Sequence, residues 1–168
     1  MIAELGLAAL WLAAALAVLQ LVAGALAVRQ DVASGEAGAE ASIADLTRPA
    51  TIVQGVFAAL SFVALLYVFA ITDLSVKLVA ENSHSLKPMI FKLSGAWGNH
   101  EGSMLLWVTV LAASGALIAL VERRLPERTM QAVLASQGFV ALGFYAFLLL
   151  SSNPFERLPI PVEEGAGL

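Results

Sequence analysis

The segment "GSMLLWVTVLAASGALIALV", residues 102–121, is twenty residues long and contains no Asp, Glu, Lys, Arg or His. An α-helix rises 1.5 Å per residue, so about 20 residues cross a hydrocarbon core about 30 Å thick. Lipid offers no hydrogen-bond partner to an exposed backbone, so a single spanning segment of this kind folds as a helix. We therefore predict a transmembrane helix at these residues.

Three other stretches of similar or greater length also lack charged residues and histidine: 5–28, 49–72 and 129–155. The chain is 60% hydrophobic and only 13% charged, whereas soluble domains carry about 25% charged residues. We therefore predict an all-α integral membrane bundle, a single membrane domain over 1–168, with four transmembrane helices. Their predicted bounds are 5–28, 50–72, 102–121 and 130–150.

The segments between and after these helices differ in character. Residues 29–48 contain "SGEAGAEAS", which has too little apolar surface to fold alone and predicts a flexible loop. Residues 73–101 form the longest polar segment, and 122–128, "ERRLPER", form a short basic turn. The Pro-rich tail, 151–168, is predicted to lack regular structure.

Composition also excludes several functions. The chain has no cysteine, which rules out disulfides and thiolate metal sites within it. A net charge of −4 without a basic cluster gives no footprint for nucleic acid. The predicted helices carry no ionisable residue at mid-depth, which argues against an ion-coupled transporter. For the polar side chains at depth we expect interhelical hydrogen bonds; they are Gln20, Gln54, Tyr67, Gln137 and Tyr145.

The basic residues give a weak orientation signal. Five arginines lie on the side of the 122–128 turn and four basic residues lie on the other side. Because Lys and Arg in short loops favour the cytoplasm, we expect the dense "ERRLPER" turn to be cytoplasmic. Both termini, the 73–101 loop and the 151–168 tail are then predicted to be periplasmic.

The stretch "WGNHEGSMLLW", residues 97–107, places a His and a Glu beside the start of the third predicted helix. Asn99 is a good N-cap type, and Glu101 then falls in the first turn. Gly102 would let a ligand approach the helix end, whose free N–H groups favour anions. His100, Ser103, Met104 and Trp107 recur at helical spacing and share one face.

These features make a candidate surface for haem or a partner protein, formed by Trp97, Gly98, His100, Glu101, Gly102, Ser103 and Trp107. The competing interpretation is an interfacial tryptophan pair and a simple helix cap. A single His/Glu pair predicts neither a metal site nor a catalytic base, so no residue is assigned to either role. The second histidine, His84, is expected to be a solvated polar residue.

"WGNHEGSMLLWV" resembles the Trp-Gly-x-His-Glu-Gly-Ser-x-Leu-Leu-Trp signature of the cytochrome c maturation protein F family (CcmF), the cytochrome c haem lyase subunit. "MIAELG", "DLSVKLVAENSHSLKP" and "SSNPFERLP" resemble the N-terminal region of that family in order and spacing. The related NrfE proteins share these features, so the subfamily stays open.

The resemblance implies a bacterial inner-membrane protein that helps to attach haem to the CxxCH cysteines of apocytochrome c on the periplasmic side. It implies CcmE, CcmH, CcmI, the remainder of CcmF and membrane lipid as partners. The family's Trp-rich WWD segment and its haem-holding histidines are missing here. We therefore expect a fragment, truncation or split-gene half, inactive alone, that does not hold the family's haem b stoichiometrically. The alternative is a non-catalytic assembly or scaffold subunit.

Overall fold

The structure, a computed structural model, describes residues 1–33, 45–160 and 162–167, and the side chains of all of these except 30–33. Most of the predicted loop at 29–48 therefore lies outside the described residues. The described helices are α1 Ile2–Ala33, α2 Thr47–Ala70, α3 Lys77–Asn82, α4 Met89–Gly95, α5 His100–Val121 and α6 Glu127–Leu150. The predicted all-α fold is confirmed.

Four helices in the described part of the chain are long and apolar enough to cross a membrane: Ile2–Arg29 within α1, and the whole of α2, α5 and α6. This confirms the predicted number of spans. The helices extend beyond several predicted bounds, as where α6 begins at Glu127 and α1 at Ile2. The prediction stopped at the first charged residue, whereas a charged side chain in a terminal turn can reach water while its backbone stays helical.

The four long helices form a ring in which α1 packs on α2 and α6, and α2 packs on α5. The α5–α6 contact is the least extensive of these neighbouring pairs. Glycine and alanine bring the backbones close: a β-carbon added to Gly55 would lie 2.7 Å from Ala116 Cβ, and one added to Gly24 would lie 2.9 Å from Ala135 Cβ. Small residues of this kind allow helices to pack tightly in lipid.

Polar side chains link the helices inside the bundle. Gln20 Nε2 of α1 donates to Gln137 Oε1 of α6, and Gln54 Nε2 of α2 donates to the Tyr145 hydroxyl of α6 at 3.3 Å. The prediction of interhelical hydrogen bonding is confirmed for these four residues. Tyr67 differs, because its side chain is exposed on the outer surface of α2.

At one end of the bundle, α2 stops in a turn that redirects the chain. Thr72 adopts a positive φ of 54°, the left-handed region that a β-branched residue rarely enters. Its N–H donates to Phe69 O, and the Asp73 N–H donates to Val68 O, which is the Schellman pattern of a helix end. The short helices α3 and α4 follow; the sequence analysis did not predict them.

The tail after α6 packs against this same end of the bundle. The described residues 73–101, 151–160 and 162–167 at this end are here called the rim. The Lys77 N–H donates to Glu156 O at 2.9 Å, and the Leu158 N–H donates to Ser75 O at 2.9 Å. Between them Arg157 donates to Glu4 Oε1 at the start of α1. The described residues of the tail form no regular helix, as predicted. They are nevertheless held by backbone hydrogen bonds to a segment about 80 residues earlier in the chain.

Candidate functional site

The site begins where Asn99 caps α5. Asn99 Oδ1 accepts a hydrogen bond from the Gly102 N–H at 2.7 Å, and Asn99 Nδ2 donates to Gly95 O at 2.6 Å. One side chain therefore satisfies a free N–H in the first turn of α5 and also holds the end of α4. The predicted N-cap is confirmed, and Glu101 lies in the first turn, where a carboxylate is favoured by the helix dipole.

Gly102 is buried beneath this cap. A β-carbon added there would overlap the carbonyl oxygen of Ala96 and would lie 2.8 Å from its carbonyl carbon. The space beside Gly102 is thus occupied by the chain's own backbone. The absence of a side chain at this position allows the 94–99 turn to fold against α5, a role that the sequence analysis did not foresee.

His100 lies exposed at the first position of α5 and faces the end of α6. Its ring meets Phe147 edge to face, with ring centroids 5.4 Å apart and planes at 81°. Its Nδ1 lies 3.4 Å from Ser152 Oγ. Phe147 and Ser152 are parts of the site that sequence reasoning missed, because a Phe does not stand out in an apolar helix, nor a Ser at the start of a Pro-rich tail.

The two tryptophans lie at different depths. Trp97 is exposed in the turn before α5, beside the exposed Gly98, whereas Trp107 is 65% exposed on α5. Trp107 follows His100 by seven residues, which is about 10 Å along the helix axis. Ser103, between them, donates through Oγ to His100 O at 3.0 Å. Trp107 therefore lies within the span, and the structure does not place the two indoles side by side.

Charged groups surround the site on the tail side. Lys77 Nζ lies 3.2 Å from Glu156 Oε2. This hydrogen bond, with the negative charges of Glu156, Glu81 and Glu101, raises the pKa of Lys77. The charged form of Lys77 is thus stabilised, and Glu101 is close enough to contribute electrostatically. The rim therefore carries both an exposed imidazole, His100, and a lysine paired with a carboxylate.

The prediction of a solvated His84 is wrong. The residue is only 9% exposed; its Nδ1 accepts a hydrogen bond from the Leu86 N–H at 3.2 Å and lies 3.9 Å from Glu164 Oε1. The cause is the tail, which folds back over this part of the loop. No local signal in "ENSHSLKP" could have indicated a cover that comes from 80 residues later.

The two histidines differ in how accessible they are to a ligand such as haem. The described residues contain no group of three His, Cys, Asp or Glu side chains that could bind a metal ion. Haem iron takes an axial ligand such as His or Met, and of the chain's two histidines His84 is buried and already hydrogen-bonded. His100 is exposed, so its imidazole is accessible to a ligand.

The chain was compared with known proteins to identify its family. No protein-family model matches the chain. The cytochrome c-type biogenesis protein CycK of Rhizobium meliloti is 47% identical over 164 residues, which is 97% of this chain and 23% of that protein. CcmF of Haemophilus influenzae is 43% identical over 119 residues, 70% of this chain and 18% of that protein. The chain belongs to the CcmF family. The resemblance drawn from its sequence motifs is confirmed.

A solved structure supports the assignment. The chain of "Cytochrome c Heme Lyase CcmF" superposes with a TM-score of 0.82 at 26% identity, covering 93% of this chain and 25% of that one. The probable NrfE of Escherichia coli is also 40% identical over 109 residues, 65% of this chain and 20% of that protein. This CcmF-family chain spans about a quarter of the length of the relatives it matches.

Proposed function

We propose that this chain contributes the rim of a cytochrome c haem lyase, which helps to attach haem to the CxxCH cysteines of apocytochrome c at the periplasmic face of the inner membrane. In this proposal His100, Glu101 and Trp97 contact haem or apocytochrome, and they act by hydrogen bonding and positioning. The remainder of the longer protein, with CcmE, CcmH and CcmI as partners, supplies the groups that hold haem b.

The observation that carries the proposal is the exposure of His100 on a rigid support. Its helix start is fixed by Asn99, its ring rests against Phe147, and it lies at the least extensively packed seam of the bundle. Asn99 already caps the helix, so capping does not account for the position of His100 at this seam. The arrangement instead leaves the imidazole available to a further part of the assembly.

A second candidate function is supported by Gly102 and Asn99. Both residues are engaged by the chain's own backbone, so the presence of Asn99 and Gly102 at these positions is explained without any ligand. In this alternative the chain is a scaffold and the motif only joins α4 to α5. The two candidates differ in what His100 and Glu101 do, since neither is needed for the Gly102–Ala96 contact.

The test uses a strain in which this chain replaces the matching segment of the full-length Rhizobium meliloti CycK. His100→Ala and Glu101→Gln should each lower the yield of cytochrome c with covalently bound haem, measured by haem staining, by about tenfold. A tenfold change corresponds to the free energy of about one hydrogen bond to a charged group. The level of the membrane protein should not change. Ser114→Ala, on the exposed face of the same helix, is the matched control and should leave the yield unaltered. Parental yields for both rim variants would favour the scaffold.

A further inference from the structure

An exposed apolar patch lies outside the four spanning helices. Leu86 is 80% exposed and Ile90 is 72% exposed, and Met89 and Phe91 beside them are also exposed. The helix that carries the last three, α4, has no buried residue. A water-facing loop has no physical reason to display four large apolar side chains within six residues, and such a patch marks an interaction surface.

The position of α4 relative to the bundle limits what can cover this patch. A β-carbon added to Gly95, at the end of α4, would lie 3.2 Å from Phe69 Cε1 in the last turn of α2. The same glycine accepts a hydrogen bond from Asn99, which caps α5. The helix is therefore held at the height where the spanning helices end. That height is the boundary between hydrocarbon and water.

The segment that carries the patch contributes two lysines, and one carboxylate approaches it from the tail, where Glu164 accepts hydrogen bonds from the N–H and hydroxyl of Ser85. Lys87 and Lys92 flank the apolar residues, and no Asp or Glu occurs between Glu81 and Glu101. Both ammonium groups stay close to the backbone, with Lys87 Nζ donating to Asn82 O and Lys92 Nζ donating to Ser85 O. Apolar side chains with adjacent lysines are typical of segments that lie in the headgroup region and favour anionic lipids.

We propose that residues 86–93 lie in the plane of the membrane, with Leu86, Met89, Ile90 and Phe91 inserted among the lipids at the headgroup–acyl boundary. Lipid is favoured over a protein partner because α4 is held beside the last turn of α2, where Gly95 lies close to Phe69, and Ile71, directly after that turn, is also exposed. The segment then fixes the rim, and His100 with it, at the bilayer surface. This proposal does not depend on the function proposed above.

The absence of cysteine from the chain allows a direct test with spin labels. Ile90→Cys and Phe91→Cys are placed in this chain within a cysteine-free full-length Rhizobium meliloti CycK background, labelled with a nitroxide, and studied in nanodiscs of phosphatidylcholine and phosphatidylglycerol. Collision rates with oxygen and with a water-soluble nickel chelate then give the depth of each label. Glu81→Cys on α3 is the control for water, and Val110→Cys on the outer face of α5 is the control for hydrocarbon; both positions are exposed.

Labels at 90 and 91 should lie about 5–10 Å below the lipid phosphates, between the two controls. A label at 90 that matches Glu81→Cys would show a water-facing loop and overturn the proposal. Protection from both reagents would show that protein covers the patch, and this result would overturn it too. Because Ile90 is exposed, its replacement does not disturb packing within the chain.

Discussion

Gly102→Ala is expected to lower the free energy of unfolding by about 3 kcal/mol, near the upper end of the usual cost of overpacking. The added methyl group would overlap Ala96 O and would lie 3.0 Å from Asn99 Oδ1. Neither group can move away without a cost in free energy, because Ala96 is fully buried and Asn99 caps the helix. Thermal unfolding in detergent, followed by circular dichroism, measures the change.

Gly143→Ala is the matched control, since a β-carbon on Gly143 would meet nothing within 4 Å. Both substitutions add one methyl group to a glycine in a spanning helix, yet only the first should reduce the melting temperature. Equal melting temperatures for Gly102→Ala and the parent would contradict the packing described for the 94–99 turn. They would also restore the idea that Gly102 leaves room for a ligand.

The second large effect is expected at Gly165 in the tail. A β-carbon there would overlap Ser83 O and would lie 3.2 Å from Ala80 O. Gly165→Val should therefore detach the tail and break the hydrogen bonds from the Ala166 N–H to Ala80 O and from the Gly167 N–H to Ser83 O. Hydrogen exchange at these two amides should rise to the rate of an open chain. His84 should become accessible to modification at the same time.

Ala166→Ser serves as the control, because this side chain is exposed and its backbone N–H is unchanged. It should keep the parental protection at both amides. A Gly165→Val chain that also kept this protection would contradict the docked position of the tail.

The tail should also respond to acid. Hydrogen bonds from Ser85 and from the Gly165 N–H lower the pKa of Glu164 from 4.5 to about 2. The ionised form is the one stabilised, so its contribution to docking is complete above the unfolded pKa and falls as the pH drops through the folded pKa. In the parent, protection of the Ala166 and Gly167 amides should therefore decline between about pH 4.5 and pH 2.

The spans and the cap were predictable because their signals are local. A charge-free run such as 102–121 is recognised as a span by its length alone. Asn99 is recognised as an N-cap from the residues that follow it. The burial of His84, the overlap that excludes a side chain at Gly102, and the docking of Gly165 were not predictable in this way. Each depends on a backbone segment that only the folded chain brings into contact with the residue. Neither hydrophobic periodicity nor residue type indicates such a contact.

The short helices α3 and α4 illustrate the same limit. Six and seven residues are too few to show a helical period, and isolated helices of this length are unstable in water. Their helical form depends on contacts with α2, the tail and, in the proposal above, lipid. Sequence analysis could only describe 73–101 as polar, although it contains the exposed apolar residues Leu86, Met89, Ile90 and Phe91.

The proposed function depends most on one assumption, that the rim faces the periplasm. Glu81→Cys at the rim and Arg124→Cys in the opposite turn are both exposed positions in a chain without other cysteines. In intact bacterial cells with a permeable outer membrane, a membrane-impermeant thiol reagent should label position 81 at once. It should label position 124 only after the inner membrane is opened. Labelling of 124 in intact cells, with 81 protected until the membrane is opened, would place His100 in the cytoplasm and contradict a role in periplasmic haem attachment.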